Sequence, residues 1–337
     1  MRKTFLLSAI LIAMALLLPS CRKAEDAEAT RSAAEPRATS AQASSGQVPA
    51  AQVPSAPVPE DSDSPDRDDA DDGYQRVKVA GTEVLWDGYR AIEPDSRLDI
   101  TSMDFSDFGI SVTGEYPVTR ETYRIMEGSV SETEVVHIHS AGAGPAIYIV
   151  GGVHGDEKAA WYCATLMRDI TISCGDLYIL VPANANGARN DTRYVVDRQD
   201  LNRSFPGDPD GNEAEALADA IFTDIKRIRP DLVLDLHEAI VMSQSRDFLG
   251  STYIFTDLSG MEDLFFDLLF ATQDGTICHN EFGYTGPGPD GSVNAEVTRR
   301  LHIPVITVET FRGFDIYRRV HDQLDTVLFV LSYNGMR

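Results

Sequence analysis

From Tyr123 to Tyr333 the chain switches repeatedly between two hydrophobic periods, and that alternation limits it to one class of fold. Runs at Tyr123 to Met126, Glu134 to Ile138, Ala146 to Val150, Asp176 to Val181, Leu232 to Leu236 and Val305 to Val308 are short and rich in Val, Ile and Tyr, the pattern of strands. Between them, Ala159 to Asp169, Asn212 to Ile228, Met261 to Ala271 and Ile316 to Tyr333 repeat apolar residues three or four apart, the spacing of one helix face. Strands alternating with helices predict an α/β sheet layered by helices. The stretch from Gly73 to Arg337 is long enough for one large single-core domain and shows no internal repeat. Residues 73 to 120 are less decided: Asp99 to Val112 and the Gly114-Glu115-Tyr116-Pro117 turn read as an appended β-piece or an irregular lead-in.

The N-terminus reads as an address. Arg2 and Lys3 precede an apolar run from Phe5 to Leu18 that ends at Pro19-Ser20-Cys21, which makes residues 1 to 21 a secretory signal peptide. Leu18-Pro19-Ser20-Cys21 resembles a bacterial lipobox, which implies a lipidated Cys21 and an exported, membrane-anchored lipoprotein. Residues 22 to 72 are rich in Ala, Ser and Pro, turn acidic from Glu60 on and lack aromatics, so they read as a disordered tether. The whole chain has 29 Lys+Arg against 53 Asp+Glu and a net charge of −24, most of it in the folded region. A surface this acidic lacks the clustered cations that phosphate contacts need, so nucleic acid is excluded as a partner. Four cysteines are too few for a disulfide framework; Cys163 and Cys174 could still pair in an oxidising compartment.

Four segments at predicted strand ends carry the chemistry, where α/β sheets place their ligands. Gly151-Gly152-Val153-His154-Gly155-Asp156-Glu157 sets an imidazole and a carboxylate three apart in a Gly-rich turn that opens a helix. Asp235-Leu236-His237 ends another strand, and two His with one Glu form a catalytic zinc set that leaves a position for water. Asn184 to Arg189, Asp191 to Tyr194 and Asp200 to Gly207 supply Arg beside Asn, suited to clamping a carboxylate or steadying an oxyanion. Glu309 ends the apolar run Val305 to Val308 and is either an outward edge charge or a general base. Glu238, next to His237, points to the other side of the strand. His137 and His139 share a strand face and fit an edge strand better than a metal pair; His279, His302 and His321 have no partner pattern.

Gly-Gly-x-His-Gly-Asp-Glu, Thr192-Arg193-Tyr194 with Asp200-Leu201-Asn202-Arg203-x-Phe205, Asp235-Leu236-His237 and Thr307-Val308-Glu309-Thr310, in this order, resemble the zinc carboxypeptidase superfamily. Within it the closer likeness is to the succinylglutamate desuccinylase/aspartoacylase family, over about residues 120 to 330. The resemblance implies a single α/β catalytic domain over residues 121 to 337, with a mixed, largely parallel central sheet flanked by helices. It implies one Zn2+ per chain held by His154, Glu157 and His237, with Asp200 orienting His154. It further implies Glu309 as general base, Arg193 on the oxyanion, and Asn202 and Arg203 on the substrate carboxylate. The stretch from Arg193 to Asn202 is two residues longer than the aspartoacylase pattern, which leaves Arg189 and Arg198 as alternatives to Arg193. Tyr284, before Gly291-Ser292, matches the carboxypeptidase arrangement, where a mobile Tyr contacts substrate. The expected activity is therefore zinc-dependent hydrolysis of an amide bond in a small carboxylate-bearing N-acyl amino acid or peptide. The alternatives are a carboxypeptidase acting on cell-wall stem peptides, and a lipoprotein that only binds ligands.

Overall fold

The structure, a computed structural model, describes residues 75–79, 81–87, 91–93, 98–240 and 250–337. The signal peptide, Cys21 and the tether lie outside these residues. Eight strands form the central sheet: β3 (Val118–Ile125), β4 (Thr133–Ser140), β5 (Ala146–Gly151), β6 (Asp176–Leu180), β7 (Leu232–Ala239), β8 (Thr252–Ile254), β9 (Gly283–Thr285) and β10 (Val305–Phe311). Their order is β3-β4-β6-β5-β7-β10-β8-β9. The pairs β6/β5, β5/β7, β7/β10 and β8/β9 are parallel, the rest antiparallel, so the sheet is mixed and largely parallel. β7 and β10 lie in its middle and are buried on both faces, which is why they read as nearly unbroken apolar runs.

Successive residues of the central strands feed opposite layers. Ile147, Ile149, Leu234, Leu236 and Val308 pack with α1 (Lys158–Met167), α4 (Glu262–Gln273) and α6 (Ile316–Tyr333). Tyr148, Val150, Val233 and Val305 pack with α3 (Glu213–Ile228) and α5 (Val293–Leu301). A short helix, α2 (Ala185–Asn190), follows β6. The start of α3 shows why it forms where it does: the Asn212 side chain accepts from Ala214 N and Glu215 N, and Glu215 accepts from Asn212 N in return. Lys226 and Arg227 complement the dipole in its last turn.

Three readings need correction. β4 is interior, between β3 and β6, so His137 and His139 do not sit on an edge strand; both of their ring nitrogens reach Asp176 Oδ1, at 2.7 and 2.8 Å. Cys163 is a free thiol in the core and is not paired with Cys174; burial pushes its pKa up. The lead-in is β only at its hairpin, β1 (Gln75–Val79) with β2 (Thr82–Trp86), while residues 98–117 are irregular apart from two 3-10 turns.

That lead-in is tied to the body. Val79, Val84 and Ala91 pack on Phe311 and Phe314. Glu93 bridges two arginines, Arg319 Nη2 at 2.8 Å and Arg312 Nη2 at 3.0 Å. Arg312 continues to Asp156 Oδ2 at 2.9 Å, and the fully buried Arg319 to Glu238. No helix among the described residues is long and apolar enough to cross a membrane.

Candidate metal centre

β5, β7 and β10 are neighbours and parallel, so their carboxyl ends bring distant segments to one place. The turn after β5 needs glycine twice: Gly152 has φ +81°, and a Cβ on Gly155 would collide with the backbone of Gly187 and Ala188. The turn delivers His154 and Glu157, β7 delivers His237, and Glu309 stands beside His237 in the β7/β10 register.

The three proposed ligands converge. His154 Nδ1 lies 2.7 Å from Glu157 Oε1, and His237 Nδ1 lies 2.8 Å from Glu157 Oε2. The Glu238 backbone N–H donates to the same Oε2 at 3.0 Å and fixes the carboxylate. Each imidazole turns its other nitrogen to a carboxylate: His154 Nε2 is 3.2 Å from Asp200 Oδ1, and His237 Nε2 is 3.1 Å from Asp235 Oδ1. All three ligands are buried. Burial alone would raise the Glu157 pKa, but the two imidazoles hold it well below the usual range. Burial alone would lower the histidines; for His154 the Glu157 charge and the Asp200 hydrogen bond outweigh it, and for His237 Asp235 and Glu157 do. These groups fit a zinc-type ion: two imidazole nitrogens and one carboxylate within 4.8 Å of one another, each ring oriented by an outer carboxylate.

A cavity of about 220 Å³ opens on this cluster and is also lined by Arg193, Asn202, Arg203 and Glu309. Glu309 Oε2 is buried and has no hydrogen-bond partner among the described residues. Burial raises the Glu309 carboxyl to about 7, against the lowering effect of His237. Arg193 is anchored by Asp200 Oδ2 through Nε at 3.1 Å and Nη2 at 2.9 Å, while its Nη1 lies 3.2 Å from His154 Nδ1. Arg189 instead donates to Val130 O, and Arg198 is exposed, so Arg193 is the arginine of this loop that reaches the cluster. Asn202 Oδ1 accepts from Val293 N, and its Nδ2 is 3.5 Å from His237 Nε2. The exposed Arg203 donates from Nη1 to Asn202 O at 2.6 Å.

One expected residue is not brought here. Tyr284 stands on β9, at the edge of the sheet, 48% exposed and against Phe255 and Phe265, and does not line the cavity. Glu238 turns away as expected: its carboxylate accepts from Ala159 N and Arg319. Asp235 belongs to the site and was legible, because positions i and i+2 of a strand share a face. Asn294 and Thr307 had no such signal. Asn294 Nδ2 donates to Thr307 Oγ1 at 3.0 Å, and Thr307 donates to Asp235 Oδ2 at 3.0 Å, completing a buried chain to His237.

Residues 143–279 match the family described as the succinylglutamate desuccinylase/aspartoacylase catalytic domain. Over 110 residues the chain is 37% identical to an N-alpha-acetyl-L-2,4-diaminobutyric acid deacetylase of Halomonas elongata, covering 30% of this chain and 31% of that protein. The chain thus spans about a third of the length of the curated relative it matches. Among solved structures it is similar to an aspartoacylase family protein of Mesorhizobium loti, with 23% identity, TM-score 0.49, and 66% of this chain and 68% of that one covered. It is also similar to tripeptide-bound cell shape determinant protein Csd4 of Helicobacter pylori, with 15% identity, TM-score 0.51, and 61% and 56% covered. At that identity the likeness is one of fold.

Proposed function

With a succinylglutamate desuccinylase/aspartoacylase catalytic domain matched over residues 143–279, we propose that this chain is a zinc-dependent amide hydrolase for small N-acyl amino acids or short peptides that bear a carboxylate. The observation that carries the reading is the convergence of His154, Glu157 and His237 on a cavity that also holds two arginines and the Glu309 carboxylate, whose Oε2 has no partner among the described residues. A zinc ion held by those three ligands would lower the pKa of water and polarise the scissile carbonyl. Arg203 and Asn202 bind the substrate carboxylate and set its distance from Glu309. Arg193, held rigid by Asp200, meets the oxygen on which negative charge develops. Glu309 takes the proton of the attacking water and returns it to the leaving nitrogen.

Release of free amino groups from N-acyl amino acids by the zinc-loaded protein tests this; turnover of C-terminal peptide bonds with no deacylation would favour the carboxypeptidase reading instead. The exported, lipid-anchored N-terminus inferred from Arg2 to Cys21 is what speaks for that second reading, since an anchored enzyme meets extracytoplasmic peptides. Cys21→Ala should move the protein from the membrane to the soluble fraction, and unchanged membrane association would sink the anchoring idea.

Two further outcomes follow. Arg203→Ala should raise KM for carboxylate substrates about 10-fold or more, the equivalent of losing a charge-assisted contact, with a smaller change in kcat. An equal KM for carboxylate and carboxamide substrates in the unaltered enzyme would remove that role. The pH profile has a set sign: a base must be ionised, so kcat/KM falls as pH drops through the Glu309 pKa. Burial places that limb at up to about 7, and the positive charge of bound zinc moves it lower, toward the ordinary 4.5. A limb well above 7 would assign it to another group.

A further inference from the structure

We propose that a second divalent-cation site, for an ion of the zinc or nickel class, lies between α6 and the loop after α4, formed by His279, His321 and Asp322 with Asp325 beside them. His321 and Asp325 are one turn apart on α6 and Asp322 lies between them, so all three share one side of the helix. His321 Nδ1 is 3.5 Å from Asp322 Oδ1 and 3.4 Å from Asp325 Oδ2. Both separations exceed an ordinary N···O hydrogen bond, and this buried nitrogen has no hydrogen-bond partner among the described residues. They do suit an ion: two ligands each about 2.0–2.1 Å from a tetrahedral zinc lie about 3.3–3.4 Å apart.

The third donor comes from the loop. His279 Nδ1 is 2.8 Å from Asp322 Oδ1, and its half-exposed ring leaves the cluster open to solvent. The two carboxylates are held in place by the same loop, Asp325 Oδ2 by Cys278 N and Asp322 Oδ1 by His279 N, each at 2.8 Å. The imidazoles meet edge to face with centroids 4.2 Å apart. Among the described residues no lysine or arginine lies within ion-pair distance of either carboxylate; beyond the two histidines, Arg318, which donates to Asn280 Oδ1 at 2.9 Å, opposes the Asp322 charge from farther off. Mixed imidazole and carboxylate donors select a zinc-type ion over Mg2+ or Ca2+, which prefer all-oxygen shells. The ion would tie down the helix whose Gln323 Nε2 donates to the His237 carbonyl at 2.9 Å.

The cluster of His137, His139 and Asp176 serves as the control, because one nitrogen of each imidazole is hydrogen-bonded to the same Asp176 oxygen and none of its buried polar atoms is left without a partner, unlike His321 Nδ1. The proposal does not depend on the amide-hydrolase reading, since its readout is metal content. The full chain is stripped with a chelator, equilibrated with zinc, gel-filtered and assayed for metal. Two equivalents are expected in the unaltered protein and one each in His279→Ala and His321→Ala, with kcat of His279→Ala unchanged. One equivalent is also expected in His237→Ala, and none in the His237→Ala/His279→Ala double variant. A metal content that His279→Ala leaves unchanged, whether one equivalent or two, overturns the proposal, as does loss of the second equivalent through His139→Ala. His279 is half-exposed, so His279→Ala decides the matter even if His321→Ala fails to fold.

Discussion

Glu309→Gln lowers kcat by about 10²–10⁴-fold, the usual contribution of a positioned general base. The substitution keeps the side chain's size and its place on β10, and removes only the ability to accept a proton. Glu309 is not among the three converging ligands, so zinc content stays that of the unaltered protein. KM changes little, because the carboxylate contacts belong to Asn202 and Arg203. Kinetics and metal analysis on the same preparation separate the possibilities. A variant with unaltered kcat would place the base elsewhere, and one that loses zinc would make Glu309 a ligand. Glu238 is a poor substitute in either case, with its carboxylate committed to Ala159 N and Arg319.

His237→Ala removes the equivalent of zinc held with His154 and Glu157, and with it essentially all hydrolysis. His237 is the ligand that the turn after β5 cannot replace, since it arrives from another strand. Truncation also leaves the Asp235 carboxylate facing a void in the sheet, with Thr307 as its remaining partner. A destabilisation of about 2–4 kcal/mol is expected, as for a buried group stripped of its partner. Full hydrolytic activity in this variant, measured after chelation and zinc repletion, would refute the ligand assignment.

Much of the fold was readable because the central strands are long, apolar and separated by strongly periodic helices. α3 announced itself through Asn212 at its cap, the Ala216-Leu217-Ala220-Ile221 stripe and Pro230 beyond its end. α5 did not, although Ser292 caps it and Val293, Val297 and Leu301 fall four apart. It is short, and Asn294, Glu296 and Thr298 are buried polar residues that break the apolar count. The convergence of His154, Glu157 and His237 was legible because each closes or follows a strand, where the topology of a parallel sheet does the gathering. Tyr284 shows the limit: its place in the motif order says nothing about which side of the edge strand it occupies. The histidines of β4 show another, since a polar residue on an interior strand becomes acceptable only when a neighbour such as Asp176, 37 positions away, satisfies it. Residues 98–117 lack strands for a local reason: the Asp104 side chain and the left-handed Gly109 close a 3-10 turn.

The bridge made by Glu93 redefines what counts as the minimal catalytic unit. Its two arginines lead to Asp156 and Glu238, and each of these is the immediate chain neighbour of a proposed metal ligand, Glu157 and His237. A chain trimmed to begin at residue 121 would therefore keep every residue proposed for catalysis and still lose Glu93, one of the two carboxylates that balance the wholly buried Arg319. Arg319 would keep Glu238 and Arg312 would keep Asp156, so the loss falls below the ~3–5 kcal/mol of a fully broken buried pair, yet it comes out of the roughly 5–15 kcal/mol that holds a typical domain folded. The segment matched at residues 143–279 also ends before Glu309 on β10, Arg312 just beyond that strand and Arg319 on α6. The proposed catalytic centre is thus tied through charge and packing to the N-terminal hairpin and connecting segment: the boundary at residue 120 divides secondary structure, not contacts.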